Sequence, residues 1–206
     1  VNRISLSARS NMNARERSKI ETRRRLMEAG IALFASRGIS DTRSTALAEA
    51  AGVAVGTLYL HFKDKEGLAR AILMEGLEAL LAELGTVACD AALDVGEAVR
   101  RQTDIMIRFA QERPGLCRTL FDPEAVRWQI STEIMDRVVA IQERRFLDQA
   151  AAGLLDGAVS PRVAARAVVG MLLFSLNWWI NHPDEADAET LAATLNRLRL
   201  SGVYAK

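Results

Sequence analysis

The amino-acid sequence predicts an all-α protein of about nine helices, with a small N-terminal domain and a larger C-terminal one. Three observations predict it. Apolar residues recur at three- and four-residue spacing, and no stretch shows the period of two that a strand needs. The four prolines fall at positions 114, 123, 161 and 183, each where a helical pattern starts or stops. Half of the 206 residues are hydrophobic, enough for a sizeable core.

Residues 1–17 lack an apolar period and are rich in Arg, Ser and Asn, so they are expected to form a disordered arm. Ser18 with Glu21 has capping-box spacing and places a helix start there. Leu26, Gly30, Leu33, Phe34 and Arg37 mark one face of that helix, and Gly38 is a natural terminator. Ser44 or a neighbour caps a second helix, and a third spans about Val55 to His61. Asp64 caps a fourth, running to about Leu84. Beyond it, a helix of roughly Gly96 to Arg113 ends at Pro114. Asp122-Pro123 is an N-cap with proline in the first turn, so a long helix is expected over about Glu124 to Ala152. Ser160-Pro161 repeats the signal for a helix ending near His182, before Pro183. The last helix covers about Asp187 to Leu200, with Leu191, Leu195 and Leu198 on one stripe. The expected domains are 18–66 and 67–206, with the helix at 64–84 connecting them.

The stretch STALAEAAGVAVGTLYLHFKDK, Ser44 to Lys65, has helix-turn-helix spacing. Small Ala48 lets two helices approach. Gly52 can take the positive φ of a tight turn, and Leu58 faces back to lock the second helix on the first. Such a unit lays its second helix in a DNA major groove. Val55, Gly56 and Thr57 would then meet base edges, with the valine and the threonine methyl suited to a thymine methyl. Tyr59 and His61 suit phosphate oxygens. Ser44, Thr45 and Arg43 are placed for the backbone, and Lys65 would add a cation beside a helix N-terminus. Arg23, Arg24 and Arg25 read mainly as a charged helix face. No Lys or Arg lies in the third helix itself, so specificity would rest on few polar groups.

The segment Thr22 to Leu73 closely resembles the DNA-binding domain of the tetracycline-repressor (TetR) family of bacterial transcriptional regulators. The residues that carry the resemblance are Ala29-Gly30, Leu33-Phe34, Gly38, Leu47-Ala48, Ala51-Gly52-Val53, Gly56-Thr57-Leu58-Tyr59, His61-Phe62, Lys65 and Leu68. It covers about a quarter of the chain. It implies DNA contacts at Tyr59 and His61, and a C-terminal helical domain that binds a small molecule and dimerises. The implied cavity among the middle helices has Met106, Phe109, Phe121, Trp128, Met135, Phe174 and Trp178 as candidate lining, hence a largely apolar effector.

A short recognition helix reads few base pairs, so a homodimer on a pseudo-palindromic double-stranded operator is expected. The helix at 161–182 is apolar nearly all round, which indicates burial on more than one side. Leu172, Leu176, Leu191, Leu195 and Leu198 are the candidate interface.

Charge agrees with a polyanion-binding head. Residues 1–65 carry 12 Lys and Arg against 6 Asp and Glu, and the remainder 15 against 20. Arg100, Arg101, Arg108, Arg113, Arg118 and Arg127 cluster near the middle helices and read as solvated faces. The chain has two histidines and no HExxH, CxxC or paired-carboxylate spacing, so no catalytic site, metal or cofactor is expected. Cys89 and Cys117 suit free thiols in a reducing cytosol. No signal peptide is visible, and the apolar run Ala167 to Ile180 is short for a membrane span, so a cytoplasmic protein without a membrane role is expected. The function expected is a ligand-responsive regulator, most simply a repressor. The alternative is a DNA-binding regulator of the same fold without an inducer.

Overall fold

The computed structural model describes residues 13–88 and 93–201. Residues 1–12 of the expected arm, and Cys89, lie outside them. Among the described residues there are ten helices and no strand. The chain divides into two compact units between Ile72 and Leu73, inside one helix rather than at residue 67.

The first unit opens with α1, Ala14–Asp41. Its start is earlier than expected, because Asn13 and Glu16 form the capping box instead of Ser18 and Glu21. Glu16 N donates to Asn13 Oδ1 at 2.8 Å, and Asn13 N donates to Glu16 Oε2 at 3.1 Å. Ser18 then sits in the helix interior, and Glu21 pairs with Arg24. Residues 14–17 are thus helical, not part of a disordered arm. Gly38, at φ 78° and ψ 163°, breaks the helical path, which resumes for one turn. Helices α2, Ser44–Ala50, and α3, Val55–Phe62, follow, and α4, Lys65–Ala88, begins here.

The turn between α2 and α3 is built as its residues dictate. Gly52 has φ +64°, which a residue with a Cβ adopts only at a cost. Gly52 N and Val53 N donate to Glu49 O and Ala48 O, both at 2.9 Å. Ala48 and Leu58 are buried, together with Leu26, Phe34, Ile39, Leu47, Phe62 and Leu68. Each such large side chain contributes roughly 1.5–3 kcal/mol when removed from water. This core holds α3 by its Leu58/Phe62 side.

The second unit contains the rest of α4 and six more helices. They are α5 (Val95–Glu112), α6 (Pro114–Leu120), α7 (Pro123–Arg127), α8 (Ile130–Ala151), α9 (Pro161–Asn181) and α10 (Ala188–Leu200). Asp94, Asp122 and Asp187 cap α5, α7 and α10 through backbone N–H groups at 2.7–2.8 Å. Pro114 both follows α5 and starts α6, a helix absent from the expected set. The expected helix 124–152 is two. Gln129 turns left-handed at φ 60°, and Ser131 Oγ donates to Leu120 O at 2.5 Å, which pins the break.

The core of this unit joins Ile107 and Ala110 of α5, Leu172, Leu176, Trp179 and Ile180 of α9, and Leu191 and Leu195 of α10. The candidate interface leucines 172, 176, 191 and 195 are therefore core residues of one chain, and Leu198 is half-buried. The reason is geometric: the leucine stripe of α10 packs onto its own α5 and α9. Helix α9 is long and apolar enough to cross a membrane by length and composition alone. One side of it is buried in this core. The other carries Val163, Phe174 and Trp178, which are 66%, 67% and 39% exposed.

Candidate nucleic-acid interface and ligand cavity

In the first unit, α3 faces inward with Leu58 and Phe62 and outward with Tyr59 and Leu60, which are 49% and 86% exposed. Gly56 is exposed, with open space where a Cβ would stand. Val55, Thr57 and His61 are half-buried. At the start of α2, Arg43 and Thr45 are exposed and Ser44 half-buried. These residues form the surface on which the sequence places DNA.

Lys65 departs from its expected role. Its ammonium Nζ donates to Ile39 O at 2.6 Å, Ser40 O at 3.1 Å and Thr42 O at 3.2 Å. A lysine has three N–H donors, and all three are taken by the carbonyls that close α1. Asp64 also occupies the N-terminus of α4, where its Oδ1 accepts from Gly67 N at 2.7 Å. Both the cation and part of the helix end are thus committed within the chain. The exposed cation beside α3 is Lys63, held at φ 60°.

Arg23 and Arg24 of α1 are engaged locally. Arg24 pairs with Glu21 and Glu28, each at 2.5 Å, and the Arg23 guanidinium lies 4.7 Å from the Phe62 ring centre. Arg25 lies beside the Gly52 turn. Burial, then the charges of Lys19 and Arg23, hold the His61 pKa below its ordinary value, so the imidazole is neutral at pH 7.

Sequence reasoning missed Leu60 and Lys63. Leu60 was legible in principle: with Leu58 and Phe62 four residues apart on the inner side, the residue between them points outward.

The second unit holds two partly open, mostly apolar cavities of about 80 Å³ and 260 Å³. They share Leu80, Met106, Val138 and Leu173 as a common wall. Of the expected lining residues, Met106 faces both cavities, and Phe109 and Phe121 face the smaller. Trp128, Met135, Phe174 and Trp178 line neither. Phe174 packs on Phe121, with ring centres 5.9 Å apart, and Trp178 stacks on His182 at 5.9 Å. The helical spacing of α9 turns these two rings outward while Leu172, Leu173 and Leu176 face the cavities.

Cys117 lines the smaller cavity, and burial pushes its thiol up to about 11. It is not a thiolate at neutral pH, which argues against redox sensing there.

The six arginines noted near the middle helices line neither cavity. Arg100 and Arg101 pair with Glu97, Arg108 with Glu83, Arg113 with Glu112 and Arg127 with Glu124, while Arg118 donates to Asn181 Oδ1. The arginines that do line the larger cavity are Arg145 and Arg199.

Among the described residues, no group of three or more His, Cys, Asp and Glu is placed to hold a metal.

The small helical unit, its outward α3 and the larger cavity-bearing helical unit define the class: a helix-turn-helix regulator. Residues 26–72 match the family model described as "Bacterial regulatory proteins, tetR family". This part of the chain is a tetR-family domain. It is similar to the HTH-type transcriptional regulator AcrR of Shigella flexneri, 44% identical over 48 residues, 23% of this chain and 22% of that one. The matching stretches span 22% to 54% of the length of such curated relatives.

Solved structures extend the likeness to the whole fold. One is the fatty acid degradation regulator FadR from Bacillus halodurans, with a TM-score of 0.79 and 18% identity, covering 90% of this chain and 97% of that one. Another is the regulator FadR from Bacillus subtilis in complex with stearoyl-CoA, with a TM-score of 0.76 and 19% identity, covering 87% and 98%. Both of these neighbours are regulators.

Proposed function

We propose that this protein is a ligand-responsive DNA-binding repressor of the cytoplasm. It binds a pseudo-palindromic operator as a homodimer and is released by a largely apolar small molecule. The observation that carries the reading is the outward α3 surface within a tetR-family domain. Val55, Gly56 and Thr57 meet base edges there, and Leu60 adds an apolar contact suited to a thymine methyl. Tyr59, His61, Arg43, Ser44, Thr45 and Lys63 hold the phosphates.

Two apolar cavities favour the inducible form over the non-inducible one. A neighbour of the same fold that holds stearoyl-CoA supports an effector with a long aliphatic part. Helix α4 runs without a break from Lys65 to Ala88, and its Leu73, Leu77 and Leu80 line the smaller cavity. A ligand that binds the DNA-free state better than the DNA-bound one shifts the balance, by a typical coupling of about 1–3 kcal/mol, or roughly 5- to 150-fold in DNA affinity.

Sequencing the DNA retained by the purified chain tests this reading. One enriched pseudo-palindrome is expected, with half-sites about 34–36 Å apart or at a multiple. Thr57→Ala should change the preferred bases, and Tyr59→Phe should weaken all sequences alike. Retention of bulk DNA without enrichment would refute it.

The neutral His61 adds a pH signature. A phosphate beside the ring favours its protonated form, so the complex takes up a proton that the free chain lacks. Operator affinity should therefore rise as the pH falls through the ordinary histidine value of about 6.5 and below it, and His61→Gln should flatten that rise. A flat profile in the native chain would remove His61 from the contact set.

A further inference from the structure

The larger cavity is apolar over most of its wall, yet two guanidinium groups face it. Arg199 of α10 reaches α5, where Nη1 donates to Val99 O at 3.1 Å and Thr103 Oγ1 at 2.8 Å, and Nη2 donates to Gln102 Oε1 at 3.2 Å. All of these acceptors are uncharged. Arg145 of α8 has neither a hydrogen bond nor an ion pair among the described residues. Its neighbours on α8 differ: Arg137 pairs with Glu78 at 2.5 Å and Arg144 with Asp148 at 3.2 Å.

The amide of Gln102 completes the site. Its orientation follows from Arg199: the oxygen must face the guanidinium, because the amide nitrogen there would set donor against donor. Nε2 is left buried with no acceptor. Two cations and an amide donor around one cavity, with no carboxylate among the described lining residues, are costly in an apolar setting. Desolvation, then the charge of Arg145, pulls the Arg199 pKa down to about 10, and desolvation lowers Arg145 too. Both guanidinium groups line this one cavity, and like charges placed there repel.

We propose that Arg145, Arg199 and Gln102 form the head-group site for an oxyanion, carboxylate or phosphate, whose aliphatic tail lies among Leu80, Leu81, Leu84 and Val169. The assignment rests on the reading of this cavity as the effector site and narrows it: the effector is an anionic amphiphile, not a neutral hydrocarbon. A bound oxyanion accepts from the guanidinium groups and from Gln102 Nε2, and it offsets the repulsion between the cations. The volume of about 260 Å³ is many times the roughly 10–15 Å³ that a single water needs, so an aliphatic tail has room.

The test is calorimetric titration of the full chain with octanoate, octyl phosphate, 1-octanol and octylammonium. At least one of the two anions should bind about tenfold or more tighter than octanol, and octylammonium should not bind. The comparison of the two anions tells carboxylate from phosphate. Arg145→Gln should remove the anion's advantage and leave octanol unchanged. Arg145→Met is a second variant, expected to fold at least as well because it removes a cation with no partner among the described residues.

Equal binding of octanol and both anions, or an anion affinity unchanged in both Arg145 variants, would overturn the site. So would failure of both anions to bind. Operator release, measured separately, distinguishes the two readings. An anion that binds through Arg145 yet leaves the operator bound keeps the site and sinks effector control. Release by octanol as effective as by octanoate does the reverse.

Discussion

Phe174→Asp combined with Trp178→Asp is expected to convert a dimer into a monomer and to cost at least about a hundredfold in operator affinity, the gain that two linked contacts typically provide. Val163, Ala167, Phe174 and Trp178 lie along one exposed side of α9 at helical spacing, opposite its buried Leu172, Leu176 and Ile180. The proposed homodimer needs an association surface, and an apolar helix side of this length on a helix already anchored in a core suits one. A charge placed there loses hydration only when a second chain covers it, so each isolated chain should keep its helical circular dichroism.

Light scattering at micromolar concentration reads the outcome directly. A native monomer, or a dimer that survives both substitutions, would refute the assignment. Leu195→Asp makes the necessary contrast. Leu195 is 2% exposed inside the single-chain core, so a carboxylate there should unfold the second unit rather than merely separate two copies.

Lys65→Met should destabilise the first unit by about 2 kcal/mol, since charge-assisted hydrogen bonds to the carbonyls closing α1 are lost. The folded fraction should bind DNA with the native salt dependence, because this ammonium has no donor left for a phosphate. Lys63→Ala should behave in the opposite way. It removes an exposed cation from a left-handed position next to α3, so stability should change little. The slope of log affinity against log salt should flatten by about one. Thermal unfolding beside a salt titration of operator binding measures both effects. A flattened slope in Lys65→Met, with Lys63→Ala silent, would return the phosphate contact to Lys65.

The reading of Lys65 shows where sequence reasoning stops. Its position after the YxHF run is visible, and a lysine beside a DNA-facing helix invites a phosphate. The three carbonyls that hold it come from residues 39, 40 and 42, far away in sequence. No local pattern records that α1 ends against the start of α4. The same limit explains Phe174 and Trp178. Large aromatic residues on an apolar helix invite a cavity, but a helix buried on one side only must send some of them outward.

What the sequence determined by itself was local. The all-α class, the Asp122-Pro123 and Ser160-Pro161 starts of α7 and α9, the Gly52 turn and the inward Leu58 follow from backbone φ, capping and apolar period, which act within a few residues. Tertiary structure decided which of two chemically equal residues faces which environment. It placed the leucines of α9 and α10 in the core of one chain and left Phe174 and Trp178 outside. It paired the arginines of α5 with nearby carboxylates and turned Arg145 and Arg199, 54 positions apart in sequence, toward one cavity. Periodicity assigns a residue to a side of its helix. Which neighbour covers that side depends on how several helices pack at once, and that information is spread over the whole chain.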